Sequence, residues 1–238
     1  MISDRMAEIL RRLRTDAWPD AVADAAGPLG VEGISVCAAG RPGVSEILWS
    51  SGGVADDFED LQVMLGEGPG RDSLTSGAVV RVPDLARVRE DRWPALLTEA
   101  SDLAVQAVFC FPLRIGAITL GVLTLFRRVP GPLTSAQGED AGALAAALTH
   151  RVLDLGLPLL SSPEGADLPH HHAVLHQATG MVSVQLEVPL AEALLRLRAH
   201  AYSNSLNLTE TARDIVARRL RLAPEPHPTG GVDEADED

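Results

Sequence analysis

The sequence predicts an α+β fold in two parts: an antiparallel sheet domain with helices on its faces, then an all-α unit of three short helices. Three observations predict it. Through residue 155 the amphipathic and strand-like segments run helix, strands, helix, strands, helix, which is not the strict βα alternation of a parallel sheet. Residues 156–169, with Gly156, Pro158, Ser161, Ser162, Pro163, Gly165 and Pro169, break that pattern and mark a linker. From residue 170 to 222 only helical periodicity remains.

In the first part, residues 3–26 predict a helix, with Met6, Ile9, Leu10 and Leu13 on one stripe and Pro19 dividing the run in two. Residues 33–38 read as a strand, residues 40–43 (Gly-Arg-Pro-Gly) as a turn, and residues 44–50 as the second strand of a hairpin. Residues 56–65 have helical spacing in Phe58, Leu61 and Leu65. Residues 66–70 (Gly-Glu-Gly-Pro-Gly) are expected to be irregular. Residues 78–82 form a strand that Pro83-Asp84 ends, and residues 94–100 a helix opened by Pro94. Two long strands, 105–114 and 117–127, flank a tight reversal at Ile115-Gly116. Thr134, with Gln137 three residues later, signals a helix start, and residues 139–155 are rich in Ala and Leu.

In the second part, helix A spans about 170–184, helix B runs from Pro189 to about Asn204, and helix C runs from after Asn207 to about Leu222. Pro189 is read as the first helical residue of B, and Asn207 with Glu210 as the cap and N3 acid of C. Leu190, Ala193, Leu194, Leu197 and Ala201 form the core face of B; Ala212, Ile215, Val216 and Leu220 form that of C. Residues 223–238, with three Pro and five acids in the last six positions, are expected to be a disordered acidic tail.

Composition narrows the chemistry. The chain has 238 residues, 46% hydrophobic and 22% charged, as in an ordinary globular protein. Aromatics are only 3%, which disfavours a base-stacking platform for single strands. All 20 basic residues are Arg, so Schiff-base chemistry and a P-loop are excluded. Net charge is −13, yet residues 170–222 hold six Arg against four acids and five of the seven His. Such a chain is no general nucleic-acid coat, but its one basic module can bind a specific polyanion. The two cysteines, Cys37 and Cys110, sit in apolar strands and read as small core residues, with no disulfide framework or CxxC metal site. The N-terminus lacks the apolar core of a signal peptide and no apolar run approaches ~18 residues, so a cytoplasmic protein is expected.

Residues from about 16 to 155 resemble a GAF domain, a small-molecule sensor fold related to PAS. The resemblance rests on Leu65-Gly66-Glu67-Gly68-Pro69-Gly70, Arg92-Trp93-Pro94, Phe111-Pro112-Leu113-Arg114 and Leu120-Gly121-Val122-Leu123-Thr124-Leu125, in that order. It implies a pocket between the sheet and residues 56–100 for a small molecule whose identity stays unknown. Gly70 stands where many relatives have Cys, and Trp93 reads as a core aromatic.

Residues 170–222 resemble the ANTAR domain, a three-helix RNA-binding output module of transcription antiterminators. The pattern lies in Ala178 and Gly180 of helix A, in Ala193, Leu197 and Ala201 of helix B, and in Leu208-Thr209-Glu210-Thr211-Ala212-Arg213-Asp214-Ile215-Val216 of helix C. Thr179 stands where many relatives carry Lys. The small residues let short helices approach closely. The resemblance implies an RNA surface, for which the candidate residues are Arg196, Arg198, Tyr202, Arg213 and Arg218. Each Arg reads either as a phosphate or guanine contact or as part of a solvated charged face, with Glu210 and Asp214 spaced to pair with Arg213 and Arg218. Tyr202 reads either as a stacking partner for an unpaired base or as a core plug.

The expected chain is thus a sensor domain (1–155), a linker (156–169), an RNA-binding module (170–222) and a tail (223–238). It acts as a homodimer on stem-loop leader transcripts, with the helix of residues 134–155 coupling sensor to dimer. A DNA-binding regulator is the alternative, since helices B and C mimic a helix-turn-helix. No cofactor, metal or membrane is expected, and no nucleophile–base constellation points to an enzyme. His170, His171 and His172 point about 100° apart on a helix and cannot converge on one ion; His172 and His176 lack a third ligand.

Overall fold

Strand patterning is apolar on nearly every residue in the long strands, and the computed structural model, which describes residues 2–14, 18–39, 45–154 and 173–222, explains why: the sheet is covered on both faces. Five strands, β1 (Gly33–Ala39), β2 (Ser45–Ser50), β3 (Val80–Val82), β4 (Ala107–Ile115) and β5 (Ile118–Arg127), lie in the order β2-β1-β5-β4-β3, all antiparallel. The reversal between β4 and β5 is carried by Gly116 at φ +57°. On β5, Gly121 lies opposite Ala38 of β1, where a Cβ would overlap the Cys37 carbonyl oxygen.

One face of the sheet carries Ile34, Val36, Phe109, Phe111, Leu123 and Leu125. It is covered by α1 (Asp4–Arg12), α2 (Trp18–Asp24), α3 (Ala26–Leu29) and the long α7 (Ser135–Asp154). The other face carries Val108, Cys110, Val122 and Phe126 under α4 (Val54–Leu65), α5 (Pro69–Ser76) and α6 (Pro94–Glu99). Trp93 is 2% exposed beneath this second layer, and Arg92 stacks over its ring at 4.2 Å. Cys37 and Cys110 are buried free thiols, as read.

Two expectations need correction here, at residues 66–70 and 78–82. Residues 66–70 are not irregular throughout: Pro69 opens α5, because a proline suits a first turn and Gly68, at φ +137°, supplies the backbone bend before it. The long helix starts at Ser135, where Thr134 and Gln137 signal it, one turn before the Ala- and Leu-rich run. Thr134 Oγ1 accepts from Gln137 N (3.2 Å) and Gln137 Oε1 accepts from Thr134 N (3.0 Å), so the reciprocal cap holds an extra turn. The strand expected at 78–82 pairs only over Val80–Val82. The turn at 40–43, the linker, His170–His172 and the acidic tail lie outside the described residues.

The C-terminal part is a bundle of α8 (Ala173–Leu186), α9 (Leu190–Ser203) and α10 (Leu208–Val216), around Leu175, Ala178, Val182, Ala193, Leu194, Leu197, Ala201, Ala212 and Ile215. Asn207 caps α10, its Oδ1 accepting from Thr209 N (2.9 Å) and Glu210 N (3.1 Å). Pro189 is the N-cap of α9 rather than its first residue, with φ −57° and ψ 152°, and Leu190 is consequently 42% exposed rather than core. Helix α10 stops at Val216, short of Leu222, since Arg218 takes φ +60°.

Candidate nucleic-acid interface

The family-pattern residues of the bundle divide by burial. Ala178, Ala193, Leu197 and Ala201 are 0% exposed and form the contact between the three helices. Gly180 does not: a Cβ there would meet nothing within 4 Å, so close helix approach does not require glycine at this position. Thr179 is 7% exposed and donates its hydroxyl to the Leu175 carbonyl (2.7 Å), which turns it inward and away from any phosphate.

The five residues read as RNA contacts are not gathered into one cluster. Arg213 is exposed on α10 and forms no ion pair among the described residues. Arg218 is exposed beyond the end of α10. With Arg221, Leu220 and Ile215 it borders a groove of ≈ 710 Å³ whose other wall is Gly180, Met181 and Val184 of α8. Asp214 pairs with Arg219 (2.6 Å), not with Arg218 as the helical spacing suggests, because the left-handed turn at 218 swings the chain after the helix ends. Arg196 donates to Glu192 Oε1 (2.8 Å) one turn earlier on α9. Tyr202 is 52% exposed, which removes the core-plug reading.

Arg198 is the exception. It is partly buried where α9 meets the sheet domain, and a Cβ on Gly66, the left-handed C-cap of α4, would lie 3.1 Å from its Nη1. Burial, with Arg71 as a like-charged neighbour, lowers its pKa to about 10. It remains a cation at neutral pH.

The sequence reading missed this seam between the two parts. Val63 of α4 is 4% exposed because it is built into the bundle's own core, flanked by Met64. At the sheet edge, His176 Nε2 meets Glu46 Oε1 at 2.8 Å. The available signal was the end of α4, Leu61-Gln62-Val63-Met64-Leu65, which is apolar on more sides than one sheet can cover.

Inside the sheet domain, Ser35 Oγ donates to Glu59 Oε1 (2.6 Å), Gln62 Nε2 donates to Glu59 Oε2 (2.9 Å), and Gly70 N donates to Gln62 Oε1 (2.8 Å). This chain of bonds joins the sheet to the turn before α5. The space between α4 and the sheet is otherwise filled by Phe58, Trp93, Leu96 and Phe126. Burial, reinforced by the charge of Glu59, pushes the Cys37 and Cys110 thiols well above their ordinary value of 9.0. No described helix is long and apolar enough to cross a membrane, and no group of three or more His, Cys, Asp or Glu among the described residues could hold a metal ion.

No family model and no curated protein matches the chain. Solved structures do. The GAF domain of an Acinetobacter phosphoenolpyruvate-protein phosphotransferase is 13% identical with a TM-score of 0.52, covering 68% of this chain and 96% of its own. The GAF domain of a phosphoenolpyruvate-protein phosphotransferase from Coxiella burnetii is 14% identical with a TM-score of 0.47, covering 64% and 96%. The first likeness establishes that the sheet domain has the GAF fold.

Proposed function

We propose that this chain is a signal-responsive transcription antitermination regulator. Its C-terminal bundle binds stem-loops in nascent RNA, and its GAF-fold domain, through a small molecule or a change of state, controls that binding. The observation that carries the reading is the division within the bundle: the alanines and leucine of the ANTAR-like pattern build its core, which leaves Arg213, Arg218 and Arg221 on the outside of an otherwise acidic chain. Arginines attract phosphate and read guanine edges, and the exposed Tyr202 can stack on an unpaired loop base. A homodimer presents two bundles to paired stem-loops. The chain binds and does not catalyse.

A mobility-shift titration of the full chain with a tandem stem-loop RNA, against a matched DNA duplex and across a salt series, tests this. RNA is expected to shift, with a negative dependence on salt. Arg213→Ala with Arg218→Ala is expected to abolish the shift. Equal or tighter binding of the duplex moves the reading to a DNA-binding regulator, and no shift of either by the full chain or by a variant with Val63→Asp removes it.

A further inference from the structure

Helix α4 is loaded on two sides. Toward the sheet it buries Phe58, Glu59 and Gln62, and Gln62 ties it to the turn at Gly70. Away from the sheet it gives Val63 to the bundle's core, and its cap at Gly66 abuts Arg198. Besides the contact between α4 and α9, the start of α10 (Asn207, Leu208 and Thr209) borders α4, and His176 and Glu46 tie α8 to the edge of β2. Relative motion is the default expectation for two domains joined by a contact of this kind. Arg198 is held in this seam as a cation against the Gly66 cap of α4, and a guanidinium is a group suited to phosphate. Tyr202 lies one helical turn farther along the same flank of α9 and is open to solvent.

We infer that the flank of α9 carrying Arg198 is one surface with two mutually exclusive occupants, helix α4 of the sheet domain and the phosphate backbone of the RNA, so that the docked bundle is the RNA-excluded form. This rests on the RNA-binding reading above. It assigns the control to a particular element: α4 touches both the buried Glu59–Gln62 chain and the bundle, so a change inside the sheet domain that moves α4 releases Arg198 beside Tyr202. An RNA strand reaching the freed flank then meets a guanidinium and a stacking ring one turn apart.

The test uses the full chain and two seam variants. Val63→Asp places a charge in the contact while leaving the sheet-facing side of α4 intact. Glu46→Gln weakens the second tie without touching either core. Small-angle X-ray scattering reads whether the bundle has left the sheet domain, and fluorescence anisotropy with a tandem stem-loop RNA reads affinity. The expected result is a larger maximum dimension for Val63→Asp together with RNA binding about tenfold tighter or more, because apparent affinity scales with the competent fraction. Glu46→Gln is expected to move both in the same direction by less, and Arg198→Ala added to Val63→Asp to cancel the gain. An opened chain that binds RNA no better than the wild type overturns the inference and leaves the RNA reading standing. So does a gain that survives Arg198→Ala. Unchanged dimensions in both variants overturn it as well, since α4 would then not be what holds the bundle. An opened chain whose helix content by circular dichroism matches the wild type and which binds no RNA removes the RNA reading and this inference together.

Discussion

The two folded parts are built from different materials. The sheet domain packs Trp93, Phe58, Phe109, Phe126 and 22 buried Val, Leu and Ile side chains into two layers, one on each side of its strands. The bundle has no aromatic residue in its core; four alanines and a few leucines, isoleucine and valines do the packing. Large side chains bury more area per residue ordered, so the sheet domain can stand on its own interior. The bundle falls below the roughly 70–80 residues at which one core becomes sufficient. It completes itself with Val63, a residue of its neighbour. The difference teaches that a module recognisable by its own sequence pattern is not for that reason independent of the chain it is attached to.

The distribution of chromophores makes this comparison measurable. All three Trp (Trp18, Trp49 and Trp93) lie in the sheet domain and the single Tyr, Tyr202, lies in the bundle. Tryptophan and tyrosine fluorescence therefore follow the two parts separately during urea unfolding.

The largest effect is expected from Trp93→Ala, which empties the centre of the second layer and should cost about 3–5 kcal/mol in the tryptophan-detected transition. Since the bundle leans on α4, the tyrosine-detected transition should fall with it. A tyrosine transition that holds its midpoint would break the claim of dependence. Next is Leu197→Ala in the bundle core, expected to cost about 2–4 kcal/mol in the tyrosine transition while the tryptophan midpoint stays put. Equal movement of both midpoints would mean that the dependence runs in both directions. Asn207→Ala removes the cap that satisfies two amides of α10, and about 1 kcal/mol should be lost, again from the bundle alone.

The smallest effect at neutral pH concerns the thiols. Cys37 and Cys110 have pKa values raised by burial, so the fold holds their protons more tightly than the unfolded chain does. Their contribution is therefore complete below the unfolded value near 9.0 and is lost as pH rises beyond it. The tryptophan midpoint should be flat from pH 7 to 9 with respect to these groups and then drop. The double variant Cys37→Ala, Cys110→Ala should flatten the alkaline limb. The chain has no Lys, and Arg198, lowered to about 10, titrates in the same range, so the double variant is what isolates the thiols.

Most of the fold was legible because periodicity and punctuation carry it. The strand pairs, the Thr134–Gln137 cap, the Asn207 cap and the alanine-rich core of the bundle all follow from local sequence. What local sequence missed was decided by backbone turns and by contacts between distant segments. Pro69 reads as turn material among three nearby glycines, and only the bend at Gly68 makes it a helix start. Arg218 ends α10 in a left-handed conformation that no residue nearby announces. The candidate interface was legible as a set of arginines and not as a surface. Spacing places Arg196 and Arg198 on one helix, but it does not reveal that one is paired to Glu192 and the other is enclosed by Gly66 and α4.

The turn after α4 also carries a consequence for how such chains diverge. The Gln62 carboxamide fills the space above Gly68 and Gly70, where an added Cβ would lie 2.5 Å and 3.0 Å from its nearest atoms. Any side chain at 70, a cysteine included, crowds that amide, which must shift by a few tenths of an ångström against its bond to Glu59. Positions 62 and 70 are thus tied across generations: a lineage that gains a side chain in this turn must reseat its residue at 62, and the pair should tend to change together in descent.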